Sequence, residues 1–165
     1  MASFRTRLRA FQRLRGEAPT AAFVADLEYL ENRDLDLSVR LGALLGFNAL
    51  MITIGTHPVS ASPGAPLSLD AANHPLQTIV SLLAIVPFVV ASTLCLRALL
   101  IGEDFETDDS DEAPDQLRRK LFAGFIRSID AQTRSLTRAV KATSIGGAVT
   151  AAVWVWILVV KMLPV

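Results

Sequence analysis

Long uncharged apolar stretches dominate the chain, and three of them approach the length of a membrane-spanning helix. A helix needs about 20 mostly apolar residues to cross about 30 Å of hydrocarbon. The pattern predicts spans at residues 41–56, 75–97 and 142–161. The alternative is a buried helix of a soluble protein, in which uncharged runs of about 18 or more residues are rare. The sequence therefore predicts an all-α integral membrane protein with three transmembrane helices.

The first predicted span is the shortest, and Arg40 stands at its entrance. A long basic side chain at this position can reach back toward the lipid headgroups, which makes the span acceptable. Pro87 lies inside the second span. Membrane helices tolerate proline when neighbouring groups satisfy the freed carbonyl.

The central segment, residues 98–141, is predicted to be a cytoplasmic linker followed by an amphipathic helix. Seven acids fall between Glu103 and Glu112, a density typical of a flexible linker. Pro114 and Asp115 indicate a helix start. The apolar residues that follow at near-helical spacing are Leu117, Leu121, Phe125, Ile129, Leu136 and Val140. No break is predicted before the third span.

The N-terminal segment, residues 1–40, is predicted to be cytoplasmic and helical. An apolar stripe runs along its arginine-rich start, formed by Phe4, Leu8, Phe11 and Leu14. Such a helix either lies on an anionic leaflet or packs on the second cytoplasmic helix. The start lacks the apolar core of a cleavable signal, although its composition also fits a transit peptide. A second helix is expected to follow Pro19 and lead into the first span.

The distribution of basic residues predicts the orientation. Seven of the 16 lysines and arginines precede the first span, and eight lie between Arg97 and Lys141. The loop at residues 57–74 has none and reads as irregular, while the C-terminal tail has Lys161 alone. By the positive-inside rule, the N-terminus is cytoplasmic and the C-terminus is periplasmic, in a bacterial inner membrane.

Few residues suggest chemistry. No catalytic or phosphate-loop motif occurs, so neither an enzyme, a cofactor nor a nucleic-acid partner is predicted. His57 and His74 flank the outer loop without the ligand set that a metal needs, and Cys95 is expected to pack inertly. Asn48 either hydrogen-bonds to another helix or lines a polar path. A further pair of residues, Gly42 and Gly46, permits close packing within the chain or between copies.

Four basic residues near the third span are candidate contacts for an anionic ligand. They recur at helical spacing, and they are Arg127, Arg134, Arg138 and Lys141. The alternative is a solvated face beside the headgroups.

The arrangement resembles the membrane effectors of Pycsar anti-phage systems. The resemblance covers most of residues 20–163. It rests on the polar lead-in and first span (NRDLDLSVRLGALLGFNALMITIG), on the basic end of the second span (LCLRALL), and on the long final helix that begins DQLRRKLFAGFIRSIDAQTRSL. The arginine-rich first 16 residues have no equivalent in the family.

The resemblance implies a function. An adjacent cyclase would make a cyclic pyrimidine nucleotide, such as cUMP or cCMP, during phage infection. The nucleotide would activate a homo-oligomer that disrupts the inner membrane and causes abortive infection. The alternative is an accessory membrane subunit that binds a partner protein through its cytoplasmic helices.

Overall fold

Helices make up most of the described part of the chain. A computed structural model describes residues 19–62, 64–101 and 114–163. No strand occurs among these residues, which confirms the predicted all-α fold. The helices are α1 (Pro19–Ser60), α2 (Pro75–Leu83), α3 (Val86–Leu100) and α4 (Pro114–Met162).

Three helical segments are long and apolar enough to cross a membrane, so the chain is a multi-pass membrane protein by length and composition. The segments are Phe23–Ser60, Pro75–Leu100 and Phe122–Met162. Both long helices begin at a proline, which is favourable in a first turn because its missing N–H has no intrahelical partner there. As predicted, α4 runs without a break into the third span, and it also continues through Gly146 and Gly147.

The second predicted span is two helices rather than one. Helix α2 ends at Leu83 and α3 begins at Val86, so the chain turns at Ala84 and Ile85. Pro87 explains the break, because it cannot donate to the carbonyl of Leu83 and its ring crowds the preceding turn. Two helices joined by a turn thus lie where the hydropathy pattern predicts a single helix.

The loop between α1 and α2 is irregular, as predicted, but it begins after Ser60 rather than at residue 57, because α1 continues through His57 and Pro58. The loop is also tied to the helices. The backbone N–H of Leu69 donates to the carbonyl of Pro58 at 2.7 Å. The Asp70 carboxylate accepts from the Ala72 N–H at 3.0 Å and from Asn73 Nδ2 at 2.6 Å. These bonds satisfy loop groups that would otherwise need solvent.

The chain divides into two compact units. The first comprises Met1–Leu41 and Arg97–Leu136, and the second comprises Gly42–Leu96 and Thr137–Val165. Helices α1 and α4 each contribute residues to both units. Two predictions fall outside the described residues: the apolar stripe Phe4, Leu8, Phe11 and Leu14, and the acidic run at residues 103–112.

In the first unit, α1 and α4 pack against each other through apolar side chains. The Phe23 and Phe122 ring centroids lie 6.4 Å apart. The residues that follow Phe23 and Phe122 by seven and fourteen positions belong to one apolar cluster; they are Leu30 and Leu37 on α1 and Ile129 and Leu136 on α4. Seven-residue steps keep these side chains on one face of each helix. Sequence analysis predicted the α4 face but missed its partner.

The charged end of α1 in this unit agrees with the prediction for Arg40. Asp36 accepts from Arg33 Nη1 at 2.6 Å and from Arg40 Nε at 2.8 Å. Arg40 therefore turns back toward the N-terminal end of α1, away from the apolar stretch that follows.

The predicted apolar face of α4 is wrong at one position. Val140 is 47% exposed, whereas its neighbour Ala139 is fully buried. In a membrane unit an exposed valine faces lipid, so this side chain has no reason to turn inward. The side chains of Leu117 and Leu121 lie outside the described residues.

Candidate functional site

In the second unit many apolar side chains are exposed, and several polar side chains are buried beside its apolar core. Leu50 and Val155 are 56% and 60% exposed, whereas Asn48 is fully buried and Thr150 is 4% exposed. This distribution is the one expected of helices surrounded by lipid, because hydrocarbon solvates leucine and valine but cannot hydrogen-bond a polar group. The interior of this unit is therefore the candidate functional site.

A hydrogen bond joins the two long helices in this interior. Thr143 Oγ1 donates to Asn48 Oδ1 at 2.8 Å, and the bond is buried. The predicted role of Asn48 in bonding to another helix is confirmed. Asn48 Nδ2 is also buried and has no hydrogen-bond partner among the described residues. The amide thus holds the helices together and retains donor capacity.

Phe88 lies against α4 just beyond this bond. The side chain is fully buried, and a Cβ atom at Gly146 would lie 2.9 Å from its Cζ. That distance is well inside ordinary carbon–carbon contact at about 3.5–4.0 Å. Only glycine therefore leaves room for the ring at this point of α4.

A second glycine contact lies at the break between α2 and α3. A Cβ atom at Gly55 would lie 2.6 Å from Ile85 Cγ2. Ile85 belongs to the turn that Pro87 causes, and Phe88 begins the first turn after it. The break is thus held between two glycine contacts, one on α1 and one on α4.

Further polar groups lie toward the other end of the interior. Thr150 Oγ1 and Trp154 Nε1 are buried and have no hydrogen-bond partner among the described residues. On α2, Thr78 and Ser81 are also buried, and Thr78 Oγ1 donates to the carbonyl of His74 at 3.0 Å. The unpartnered groups of Thr150 and Trp154 can bind water or a small polar solute, but no acid–base pair accompanies them among the described residues.

The far end of this unit combines an apolar cluster with one lysine. Leu69 and Ala84 pack with Val153 and Ile157. Lys161 Nζ donates to the backbone carbonyls of two loop residues; they are Ala65 and Ser68. The lysine predicted to stand alone in the C-terminal tail therefore fixes the loop to α4.

The four predicted ligand residues are all exposed on α4. Arg127 and Arg134 belong to the first unit, where each Nε donates to a carbonyl four residues earlier on the same helix. Arg138 and Lys141 belong to the second unit. Exposure fits both an anion contact and a solvated face, so their role in binding stays a prediction.

The remaining candidates from the sequence are two glycines, two histidines and one cysteine. A Cβ atom added at Gly42 or Gly46 would have no neighbouring atom within 4 Å, so these glycines do not pack within the described chain. His57 and His74 are exposed, and the described residues contain no group of three metal-ligating side chains. Cys95 is buried.

Sequence reasoning missed the contacts of Gly55, Ile85, Phe88 and Gly146. The available signal was Pro87, which marks a break, together with glycines in the two facing spans. Comparison of the chain with models of protein families, with curated proteins and with solved structures finds no match.

Proposed function

We propose that this chain is a membrane effector of a bacterial anti-phage defence system, which permeabilises the inner membrane in response to a cyclic pyrimidine nucleotide. The observation that carries the proposal is the buried polar interior of the second unit, above all Asn48 and Thr150. Asn48 Nδ2 and Thr150 Oγ1 have no hydrogen-bond partner among the described residues, so both are available to water or a small ion inside the unit. The resemblance to Pycsar effectors supplies the signal and the biological outcome.

In this proposal the N-terminus and the segment before the third span lie in the cytoplasm, where 15 of the 16 basic residues then fall. A cyclase encoded nearby makes the nucleotide. The candidate contacts for the nucleotide are the exposed basic residues of α4, which are Arg127, Arg134, Arg138 and Lys141. The nucleotide binds the open form of a homo-oligomer more tightly than the closed form, because only differential affinity shifts such an equilibrium.

The direct test is ion leak from vesicles. The full chain is reconstituted into liposomes that carry a potassium gradient and a potential-sensitive dye, and cUMP or cCMP is supplied on both sides. Depolarisation is expected with one or both nucleotides, but not with the linear monophosphates or with cyclic purine nucleotides. Equal leak with and without every nucleotide would refute the proposed activation.

The basic residues can be tested in the same vesicles. The double substitution Arg134→Gln and Arg138→Gln is expected to raise the nucleotide concentration for half-maximal leak at least about tenfold, because each charged contact contributes about 1.5–3 kcal/mol. Arg97→Gln is the matched control, since Arg97 is also an exposed arginine but lies on α3. An unchanged response in the double variant would assign Arg134 and Arg138 to the solvated face.

An accessory subunit is the second candidate function. On α1 of the first unit, Val24, Leu35 and Val39 are 62%, 63% and 64% exposed. Their spacing of eleven and four residues puts them on one helix face, where a partner helix can dock. This function predicts a protein that co-purifies with the chain, is lost with Leu35→Glu, and is accompanied by no ion leak.

A further inference from the structure

Thr150 differs from several hydroxyl residues of the spanning helices in having no hydrogen-bond partner among the described residues. Thr53, Thr93 and Ser144 each donate to the carbonyl four residues earlier on their own helix. Thr150 is 4% exposed, yet its Oγ1 makes no such bond to Gly146 and has no other partner among the described residues. A buried hydroxyl that does not hydrogen-bond to its own helix backbone is oriented for a different ligand, such as water.

Trp154 extends this polar layer by one turn. Its Nε1 is buried without a hydrogen-bond partner among the described residues, and it lies four positions after Thr150 on the same helix. Residues four apart share a helix face. The two groups together offer a hydroxyl and an indole N–H to a small polar ligand inside the unit.

Phe88 lies between this layer and the Asn48–Thr143 bond. Gly146, which the ring contacts, follows Thr143 by three residues and precedes Thr150 by four. At a rise of about 1.5 Å per residue, the ring is about 4.5 Å from one polar layer and about 6 Å from the other along α4. An apolar ring thus separates two groups of buried polar side chains.

The position of the ring depends on the break. Phe88 directly follows Pro87, and its N–H donates to the Ile85 carbonyl at 3.0 Å. A helix interrupted at this point can pivot more easily than the unbroken α1 and α4, because fewer backbone bonds resist the motion. Helix α3 carries the Phe88 ring, and α3 is therefore the helix that can move it.

We infer that Phe88, seated on Gly146, seals a passage for water and small monovalent ions between the Asn48–Thr143 layer and the Thr150–Trp154 layer. The inference rests on the proposed function in one respect, namely that the second unit conducts. The seal is steric, since a ring that fills the space against a glycine leaves no room for a hydrated ion. Opening requires the ring to leave Gly146.

Cysteine accessibility tests the seal without any nucleotide. Thr150→Cys is introduced with Cys95→Ala into the full chain, and a membrane-impermeant thiol reagent is supplied on both sides of the vesicles. Cys95 is buried and is removed only so that one thiol remains. The new thiol is expected to react slowly in this parent and at least about ten times faster with Phe88→Ala, which also leaks potassium. Phe47→Ala is the control, since Phe47 is 48% exposed.

A second variant moves the ring without deleting it. Gly146→Ala places a methyl group 2.9 Å from the ring and is expected to increase labelling in the same direction, whereas Gly147 has no atom within 4 Å and Gly147→Ala is expected to have no effect. If Phe88→Ala does not insert into the membrane, Gly146→Ala decides. Fast labelling in the parent, or slow labelling in every inserted variant, would overturn the seal.

The two proposals fail separately. If a nucleotide depolarises vesicles of the unmodified chain while Phe88→Ala and Gly146→Ala leave labelling slow, the effector function stands and the seal is wrong. If both variants speed labelling and leak while no nucleotide acts on the unmodified chain, the seal stands and the proposed signal is wrong.

Discussion

Gly55→Ala is the sharpest test of how the second unit packs. The substitution adds one methyl group, and that group would lie 2.6 Å from Ile85 Cγ2. Gly42→Ala is the matched control, because it makes the same chemical change on the same helix where no atom lies within 4 Å. Both changes give α1 the same gain in helix propensity, so their difference isolates the contact with Ile85.

The expected magnitude follows from the overlap. A carbon–carbon distance of 2.6 Å is about 1 Å shorter than favourable contact, so either the isoleucine or the break must shift. Overpacking of this kind costs about 1–3 kcal/mol. Gly55→Ala should therefore be less stable than Gly42→Ala by about 1–3 kcal/mol, which is at least about a fivefold change in the unfolding equilibrium.

The assay is the free energy of unfolding, measured by titrating SDS into mixed micelles of the purified chain and following helix content. Ile85→Leu provides the rescue, because leucine has a similar volume but no Cγ2. Combined with Gly55→Ala, it should recover most of the loss, so the two effects should not add. If the two glycine variants are equally stable, or if Ile85→Leu gives no rescue, the close packing of the break on α1 is wrong.

Two further changes test single contacts. A double-mutant cycle of Asn48→Ala and Thr143→Val should give a coupling of about 0.6 kcal/mol, and at most about 1.7 kcal/mol, in the same micelle assay, as for other hydrogen bonds between membrane helices. Additive effects would contradict the bond. Lys161→Met should increase proteolysis of the loop at residues 61–74 severalfold, because it removes both hydrogen bonds from the Lys161 ammonium to the loop carbonyls. Lys161→Arg should not increase it.

The elements of the fold were predictable where one local signal decides. The prolines at positions 19 and 114 mark both long helices, and uncharged runs mark the spans. The break at Ala84 and Ile85 was not predictable from the sequence. Membrane helices often continue through a proline, and the neighbouring helices determine whether a given helix continues or breaks. Here Gly55 and Gly146 accept the side chains that the break turns toward them.

The candidate site was predictable only in part. Asn48 was a candidate from its polarity alone, and the structure supplies Thr143 as its partner. Thr150 carried no comparable signal, since threonine in a membrane helix usually bonds its own backbone. The basic candidates of α4 were chosen by spacing, and their exposure does not separate ligand contacts from a solvated face.

Hydropathy identifies a spanning helix, but small and polar residues identify its inner face. On α1, Asn48 and Gly55 are seven residues apart, so they share the face that meets the other helices. Gly42 and Gly46 precede Asn48 by six and two residues, and at about 100° per residue that places them on the opposite side of α1. The four-residue spacing of Gly42 and Gly46 therefore did not identify the glycine that packs within the chain. The seven-residue spacing from the buried Asn48 identifies it as Gly55.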